Sequence, residues 1–152
     1  MTQDTSESRG IIRERLAMRL HNRGTSRLLH VSRILRAREI LELSDKQLLQ
    51  LRDARVELAQ KLIKLTSEIR TVRFDSLNAV ATKPVSFEHL RKNAKSISDL
   101  RLQRKTAVID AFEKASNVLD DKQKHKLHEY VAELVDEAWE NEHETEADEM
   151  EE

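Results

Sequence analysis

Apolar residues recur at intervals of three and four positions through the middle of the chain. From residue 48 to residue 72 they form a heptad seam that is interrupted at Arg55. This pattern predicts a long helix that continues to about Ala81. The segment from Thr82 to Val85 then predicts a turn, because Pro84 lacks an N–H donor and restricts the residue before it. The apolar members of the seam are Leu48, Leu51, Leu58, Leu62, Leu65, Ile69 and Val72.

A second long helix is predicted from Phe87 to about Val118, with Ser86 as its N-cap. The short turn between the two long helices predicts that they pack as an antiparallel hairpin. Arg101 and Arg104 interrupt the apolar positions of this second helix. Two interpretations stay open: the seam drifts and the arginine stems cover it, or the cations belong to a mixed apolar and basic partner-binding surface. The apolar positions are Phe87, Leu90, Ala94, Ile97, Val108, Ala111 and Ala115, and the candidate partner-binding residues are Arg55, Arg101, Arg104 and Lys105.

Two five-residue segments share one pattern: Leu, a small residue with a side-chain oxygen, two polar residues, then Gln. In such a pattern the second residue caps a helix start, and the Gln side chain reaches back to the cap's own N–H. The two copies predict the starts of the first hairpin helix and of a last helix from Asp121. Their motif residues are Leu43, Ser44 and Gln47, and Leu119, Asp120 and Gln123.

Residues 1–8 are polar and predict a disordered N-terminus. Helical patterns run from Ile11 to Leu20 and from Leu28 to Leu41, and Gly24 interrupts them. Gly24 either breaks the segment into two helices or bends it, and we favour one long helix that can kink. No segment has a strand pattern. We therefore predict an all-α protein of four helices, with a helical domain at 9–140 and a disordered acidic tail at 141–152.

Charge is strongly separated along the chain although the net charge is −1. Residues 9–38 contain nine arginines and one acid, whereas residues 136–152 contain ten acids and neither Lys nor Arg. The arginine-rich segment predicts either pairing with the acidic tail or an arm that binds nucleic acid. Aromatic residues make up only 3% of the chain. Such a thin core favours a homodimer that completes the apolar contacts.

Little in the sequence favours catalysis or a cofactor. The chain has no cysteine, and it contains no glycine-rich phosphate loop, nucleophile elbow or His-Glu-x-x-His motif. We expect a protein that is not an enzyme. His125 and His128 are three residues apart and could share one helix face as ligands of a divalent metal, but a site needs further ligands. Two solvated histidines are the simpler interpretation.

The two Leu-[Ser/Asp]-x-x-Gln helix starts, the hairpin around Pro84 and the approach from Asp110 to Leu119 resemble the Spy/CpxP family of periplasmic LTxxQ-motif proteins. The resemblance covers residues 28–135. It implies a curved, cradle-like dimer of helical hairpins that binds unfolding proteins without ATP. It also implies export, with the signal peptide removed from the chain as given; a chain complete as written would stay in the cytoplasm.

The family's ZraP-like and CnrX-like branches bind metals, but this chain departs from them. The positions that correspond to the sensor ligands are Ile34, Arg38, Ala111 and Ala115, none of which binds a metal. We therefore expect a stress-response chaperone that holds non-native protein segments. The alternatives are a metal-responsive sensor of the same fold, and a helical adaptor whose basic arm binds nucleic acid. No apolar run is long enough to span a membrane.

Overall fold

The computed structural model describes the backbone of residues 29–149 and the side chains of residues 29–137. Four helices follow one another: α1 (Val31–Arg36), α2 (Asp45–Ala81), α3 (Phe87–Ser116) and α4 (Asp121–Glu149). No strand occurs within residues 29–149. Across residues 29–149 the predicted all-α class is confirmed, with four helices in that range. The predicted disordered residues 1–8 and most of the arginine-rich segment lie outside the described residues.

Helices α2 and α3 pack side by side in opposite directions. Glu57, near the start of α2, lies 3.3 Å from Lys114, near the end of α3. At the other end of the pair, Asp75 contacts His89. We call the end where α2 begins and α3 finishes the base, and we call residues 61–105, around the turn at 82–86, the distal half.

The hydrophobic core is concentrated at the base. One large cluster joins α1 to both long helices and to the start of α4, whereas the distal half contains a small cluster of Leu65, Ile69 and Leu100. Full burial of a large apolar side chain stabilises a fold by about 1.5–3 kcal/mol, so the base supplies most of the hydrophobic stabilisation. The large cluster consists of Val31, Ile34, Ala37, Leu41, Leu51, Leu58, Ala107, Val108, Ala115, Leu119 and Leu127.

The regular part of α1 ends at Arg36, earlier than the predicted end at Leu41, and turns follow through Glu42. Glu42 has a φ of 51°. The Leu43 N–H donates to the Arg38 carbonyl and the Glu42 N–H to the Glu39 carbonyl, at 3.1 and 3.2 Å. These two bonds form a Schellman motif, which reverses the chain toward α2.

The predicted seam of α2 is confirmed, since Leu51, Leu58, Leu65 and Ile69 are buried. The predicted seam of α3 is confirmed in part: Val108 and Ala115 are buried, and Ile97 and Ala111 pack against the core clusters. It is wrong at Phe87, which is 66% exposed, and at the exposed Ala94, whereas Asn93 and Leu100 are buried. Arg101 and Arg104 are both exposed. Arg104 lies four residues after Leu100 and four before Val108, on the seam side of α3, so the seam has no buried residue between Leu100 and Ala107.

Helix α4 continues through Glu149, into the segment for which the sequence predicted disorder from residue 141. This segment contains neither Gly nor Pro. Glutamate, which is frequent in it, and its one alanine have high helix propensity. These residue types are compatible with a helix even though their charge favours solvation.

Candidate binding surface

The two sequence motifs form complete capping boxes at the base. The Ser44 hydroxyl accepts from the Gln47 N–H at 3.2 Å, and the Gln47 side chain accepts from the Ser44 N–H at 3.0 Å. The same pair of bonds joins Asp120 and Gln123, at 2.8 and 3.0 Å. Each box satisfies backbone N–H groups that a helix start would otherwise leave unpaired. Both predicted helix starts are confirmed.

The two motifs also bind each other across the base. The side-chain amide of Gln47 donates to Gln123 Oε1 at 2.8 Å, and that of Gln123 donates to Gln47 Oε1 at 3.1 Å. Gln47 donates to the Val118 carbonyl at 3.0 Å, and Gln123 donates to the Leu41 carbonyl at 3.1 Å. Each glutamine therefore starts its own helix and pairs a carbonyl just before the other motif. We call this arrangement the glutamine joint.

Sequence reasoning identified both glutamines but missed their pairing, although the repeated motif was the available signal. The joint is a structural element, because its four side-chain amide and carbonyl groups already have partners. In the same region, the Lys126 ammonium makes an ion pair with the Glu42 carboxylate at 3.2 Å. We therefore look for a partner-binding site away from the base.

A polar cluster lies inside the distal half, where the seam would otherwise have an apolar layer. Asn93 is buried, and its side-chain amide donates to Asp75 Oδ2 at 2.7 Å and to the Ser76 hydroxyl at 3.1 Å. His89 Nε2 lies 2.6 Å from the same Asp75 oxygen. The hydrogen bonds from Asn93 and then from His89 lower the pKa of Asp75. The cluster thus contains an ionised carboxylate that is held by two partners.

The hydrogen bonds of this cluster are not arranged to activate a serine nucleophile. The Ser76 hydroxyl donates to the Val72 carbonyl at 2.9 Å and accepts from Asn93, so its donor is already engaged. Among the described residues there is no group of three His, Cys, Asp or Glu side chains that could hold a metal ion. A buried Asn that pairs across a helical interface is known to fix register. We interpret the cluster as the element that aligns α2 with α3.

The outer faces of the distal half carry a large excess of positive charge. Residues 61–105 contain eleven Lys and Arg against four Asp and Glu. All eleven cations are exposed. Within the part of the chain that the structure describes, none of them makes an ion pair or a side-chain hydrogen bond. They are Lys61, Lys64, Arg70, Arg73, Lys83, Arg91, Lys92, Lys95, Arg101, Arg104 and Lys105.

Large apolar side chains are exposed among these cations. Phe74, Leu77 and Val80 are 58–69% exposed near the end of α2, and Phe87 is 66% exposed at the first position of α3. Phe74 and Leu77 follow Arg70 and Arg73 by four residues each, so cation and apolar group are neighbours on the helix surface. Exposed apolar groups rimmed by charge mark interaction sites. We call the exposed residues of 61–105 the distal surface; Ile63 and Leu102 also belong to it.

The structure divides the predicted partner-binding residues between two places. Arg101, Arg104 and Lys105 belong to the distal surface. Arg55 lies at the base near His30, where burial and then Arg33, Arg36 and Arg55 lower the histidine pKa. Sequence reasoning missed the apolar members Phe74, Leu77, Val80 and Phe87. The sequence did contain a signal for their exposure. Phe74, Leu77 and Val80 are not among the predicted seam residues of α2, and Phe87 is the first residue of α3.

The weak metal candidates His125 and His128 are exposed on α4. His125 Nε2 lies 3.3 Å from the Glu129 carboxylate on the same helix. Two side chains on one helix supply fewer ligands than the three or four that a zinc site requires. The arginine-rich residues 9–27, which could form a nucleic-acid-binding arm, lie outside the described residues.

A scan of the chain against protein-family models finds no match. Searches for similar curated proteins and for similar solved structures also find no match. Among residues 29–149, no helix is both long enough and apolar enough to cross a membrane.

The glutamine joint predicts a large effect for Gln123→Ala. The variant leaves the Leu41 carbonyl and the Asp120 N–H without their side-chain partner, and it removes both hydrogen bonds between Gln47 and residue 123, in a mostly buried place. We expect it to lower the free energy of unfolding by about 2–3 kcal/mol, measured by urea denaturation. Gln50→Ala on the exposed face of α2 is the matched control and should change it by less than about 0.5 kcal/mol. Equal effects of the two substitutions would contradict the joint.

The distal polar cluster predicts a dependence of stability on acid. Because the pKa of Asp75 is below its ordinary value of 3.8, its ionised form stabilises the fold above that pH. This contribution disappears as the pH falls through the lower folded value. The wild type should therefore lose more stability than Asp75→Asn when the pH is lowered through this range, measured by thermal unfolding. Asp99→Asn, at an exposed carboxylate on α3, should follow the wild type; a parallel response of all three proteins would refute the prediction.

Proposed function

We propose that this protein is an ATP-independent chaperone-like binding protein of the Spy/CpxP type, which holds non-native protein segments on its distal surface. The observation that supports this function is the coexistence of unpaired cations and exposed apolar side chains on the distal half. The repeated Leu-[Ser/Asp]-x-x-Gln motif, now with its two glutamines paired, adds support from the resemblance.

Such a surface suits clients that are both unfolded and acidic. Long-range attraction by a net positive surface accelerates encounter with a negatively charged chain. Once the client is near, its exposed apolar side chains can contact Phe74, Leu77 and Phe87 without displacing any part of the chaperone. A client carboxylate also meets cations that have no existing ion pair to break. Many small contacts of this kind give reversible binding without an energy source.

The remaining expectations belong to the same proposal. A homodimer would cover part of the exposed apolar surface, because ten large apolar side chains of the described residues remain exposed. The curved cradle, the location in the periplasm and the role in stress response come from the family resemblance. No cofactor is needed for this activity, and the proposal does not include catalysis.

A metal-binding function is the alternative that the His125–Glu129 contact favours. Such a site would need His128 and ligands from a second subunit. Calorimetry with zinc, nickel and copper tests it by comparing the wild type with His128→Ala. Tighter binding by the wild type would support the alternative, and equal binding would dispose of it.

The charge of the distal surface can be tested by reversal. The variant Arg70→Glu, Arg73→Glu, Arg101→Glu should require about tenfold more protein to suppress aggregation of reduced α-lactalbumin, an acidic client, as measured by light scattering. This magnitude assumes three exposed charge contacts that each contribute a few tenths of a kcal/mol or more. The control variant Lys46→Glu, Arg52→Glu, Lys124→Glu has the same charge change at the base and should retain wild-type activity. High ionic strength should weaken the wild type.

The apolar contribution needs a separate variant that leaves the charge unchanged. Phe74→Ser with Phe87→Ser should reduce suppression at both low and high ionic strength, whereas Val56→Ser, at an exposed apolar residue closer to the base, should not. If the wild-type protein fails to suppress aggregation at stoichiometric concentration, the proposed function is wrong. If duplex DNA binds, removal of residues 1–24 abolishes that binding and no client binds, the adaptor alternative replaces it.

A further inference from the structure

Helix α4 begins at the base, and its described core contacts lie in its first turns. Leu127 is buried, and Tyr130 and Val131 pack against the large cluster. Beyond these first turns α4 does not pack extensively on α2 or α3. A helix of 29 residues that is anchored mainly at its start is incomplete as a packed element. Among residues 29–149, no other helix packs extensively on its remaining length.

The rest of α4 is as acidic as the distal surface is basic. From residue 129 to residue 152 the sequence contains twelve Asp and Glu and neither Lys nor Arg. We call this segment the acidic arm. Four of its acids, Glu129, Glu133, Asp136 and Glu137, are exposed side chains of the described part. The arm also contains apolar residues, including the half-buried Leu134 and Val135, and Trp139 in the sequence.

The helical part of the acidic arm and the α2 portion of the distal surface have the same length. The helical part of the arm, residues 129–149, spans about 30 Å, because an α-helix rises 1.5 Å per residue. The α2 portion of the distal surface, residues 61–81, has the same number of residues and therefore the same length. The arm does not lie on the distal surface of its own chain, because α4 lacks extensive contacts with the hairpin. A second copy of the chain can supply its acidic arm to this distal surface, and the base of neither copy has to move.

We propose that the acidic arm of one copy docks on the distal surface of a second copy, and that the exchange is reciprocal. Two arms and two distal surfaces then form two equivalent contacts, which close the assembly as a two-fold dimer. The arm's carboxylates pair with cations such as Arg70, Arg73 and Arg101, and its apolar residues cover part of the exposed group around Leu77. The inference follows from charge and length alone, so it stands even if the proposed function fails.

If the proposed function also holds, the arm and the client compete for one surface. An acidic unfolded segment would displace the partner's arm, and the free protein would protect its own exposed apolar groups between encounters. Self-association would thus fall as client load rises. This coupling is a consequence of the docking and is not needed to test it.

Charge exchange between two full-length variants tests the docking. The hairpin variant carries Arg70→Glu, Arg73→Glu and Arg101→Glu, and the arm variant carries Glu133→Arg, Asp136→Arg and Glu137→Arg. At low ionic strength, light scattering coupled to size exclusion should give the wild type twice the chain mass of 17.7 kDa. Each variant alone should be a monomer at the concentration where the wild type is a dimer, because the substitutions lower the net charge of the distal half from +7 to +1, or that of the arm from −12 to −6. An equimolar mixture of the two should restore the dimer, because the unchanged arm of the hairpin variant then meets the unchanged distal surface of the arm variant.

Several outcomes would overturn the docking. A wild type that is monomeric at low ionic strength, a variant that dimerises alone, or a mixture that remains monomeric would each show that the arm does not bind a second copy in this way. The base variant Lys46→Glu, Arg52→Glu, Lys124→Glu is the control and should remain dimeric. Circular dichroism and thermal unfolding establish that each variant is folded. If a reversal variant unfolds, Gln replacements at the same positions take its place and should still weaken the dimer.

Discussion

The reciprocal pairing of Gln47 and Gln123 fixes the geometry of the base. It joins the starts of α2 and α4, and it holds the chain segments that precede them through the Val118 and Leu41 carbonyls. A single hydrogen bond contributes about 1 kcal/mol net, but an unpaired buried amide costs more. Because the two glutamines of the joint hydrogen-bond each other, loss of one glutamine removes bonds at the starts of both α2 and α4.

The distal half has a small hydrophobic core, because the described buried side chains of α1 and α4 all lie at the base. Helices α1 and α4 add their buried side chains beside the joint, and the hairpin continues beyond them as two helices with a small core. Two helices alone leave most of their surface in solvent, including Phe74, Leu77 and eleven cations. The polar cluster of Asp75, His89 and Asn93 contributes alignment in this region where apolar burial is limited. Stability and the proposed binding are thereby placed at opposite ends of the same two helices.

The sequence predicted what local rules determine and missed what depends on distant partners. The seam of α2 and both capping boxes follow from spacing and side-chain chemistry, and the structure confirms them. The seam of α3 could not be read reliably, because its buried Asn93 is polar while the exposed Phe87 is apolar. Glu42 has a positive φ, but no glycine stands near it in the sequence to indicate the chain reversal. The pairing of the two glutamines requires the whole chain to fold, so neither motif alone could predict it.

We propose that partner chains bind the distal half while the base remains closed. Site-specific photo-crosslinking tests it most directly, with a benzophenone side chain at Leu77 or at Leu49 in the full-length protein. The two positions are similarly exposed, at 69% and 62%, but Leu77 is distal and Leu49 is at the base. We predict that reduced α-lactalbumin is crosslinked at Leu77 and not at Leu49. Equal crosslinking at both positions, or crosslinking at Leu49 alone, would contradict the account.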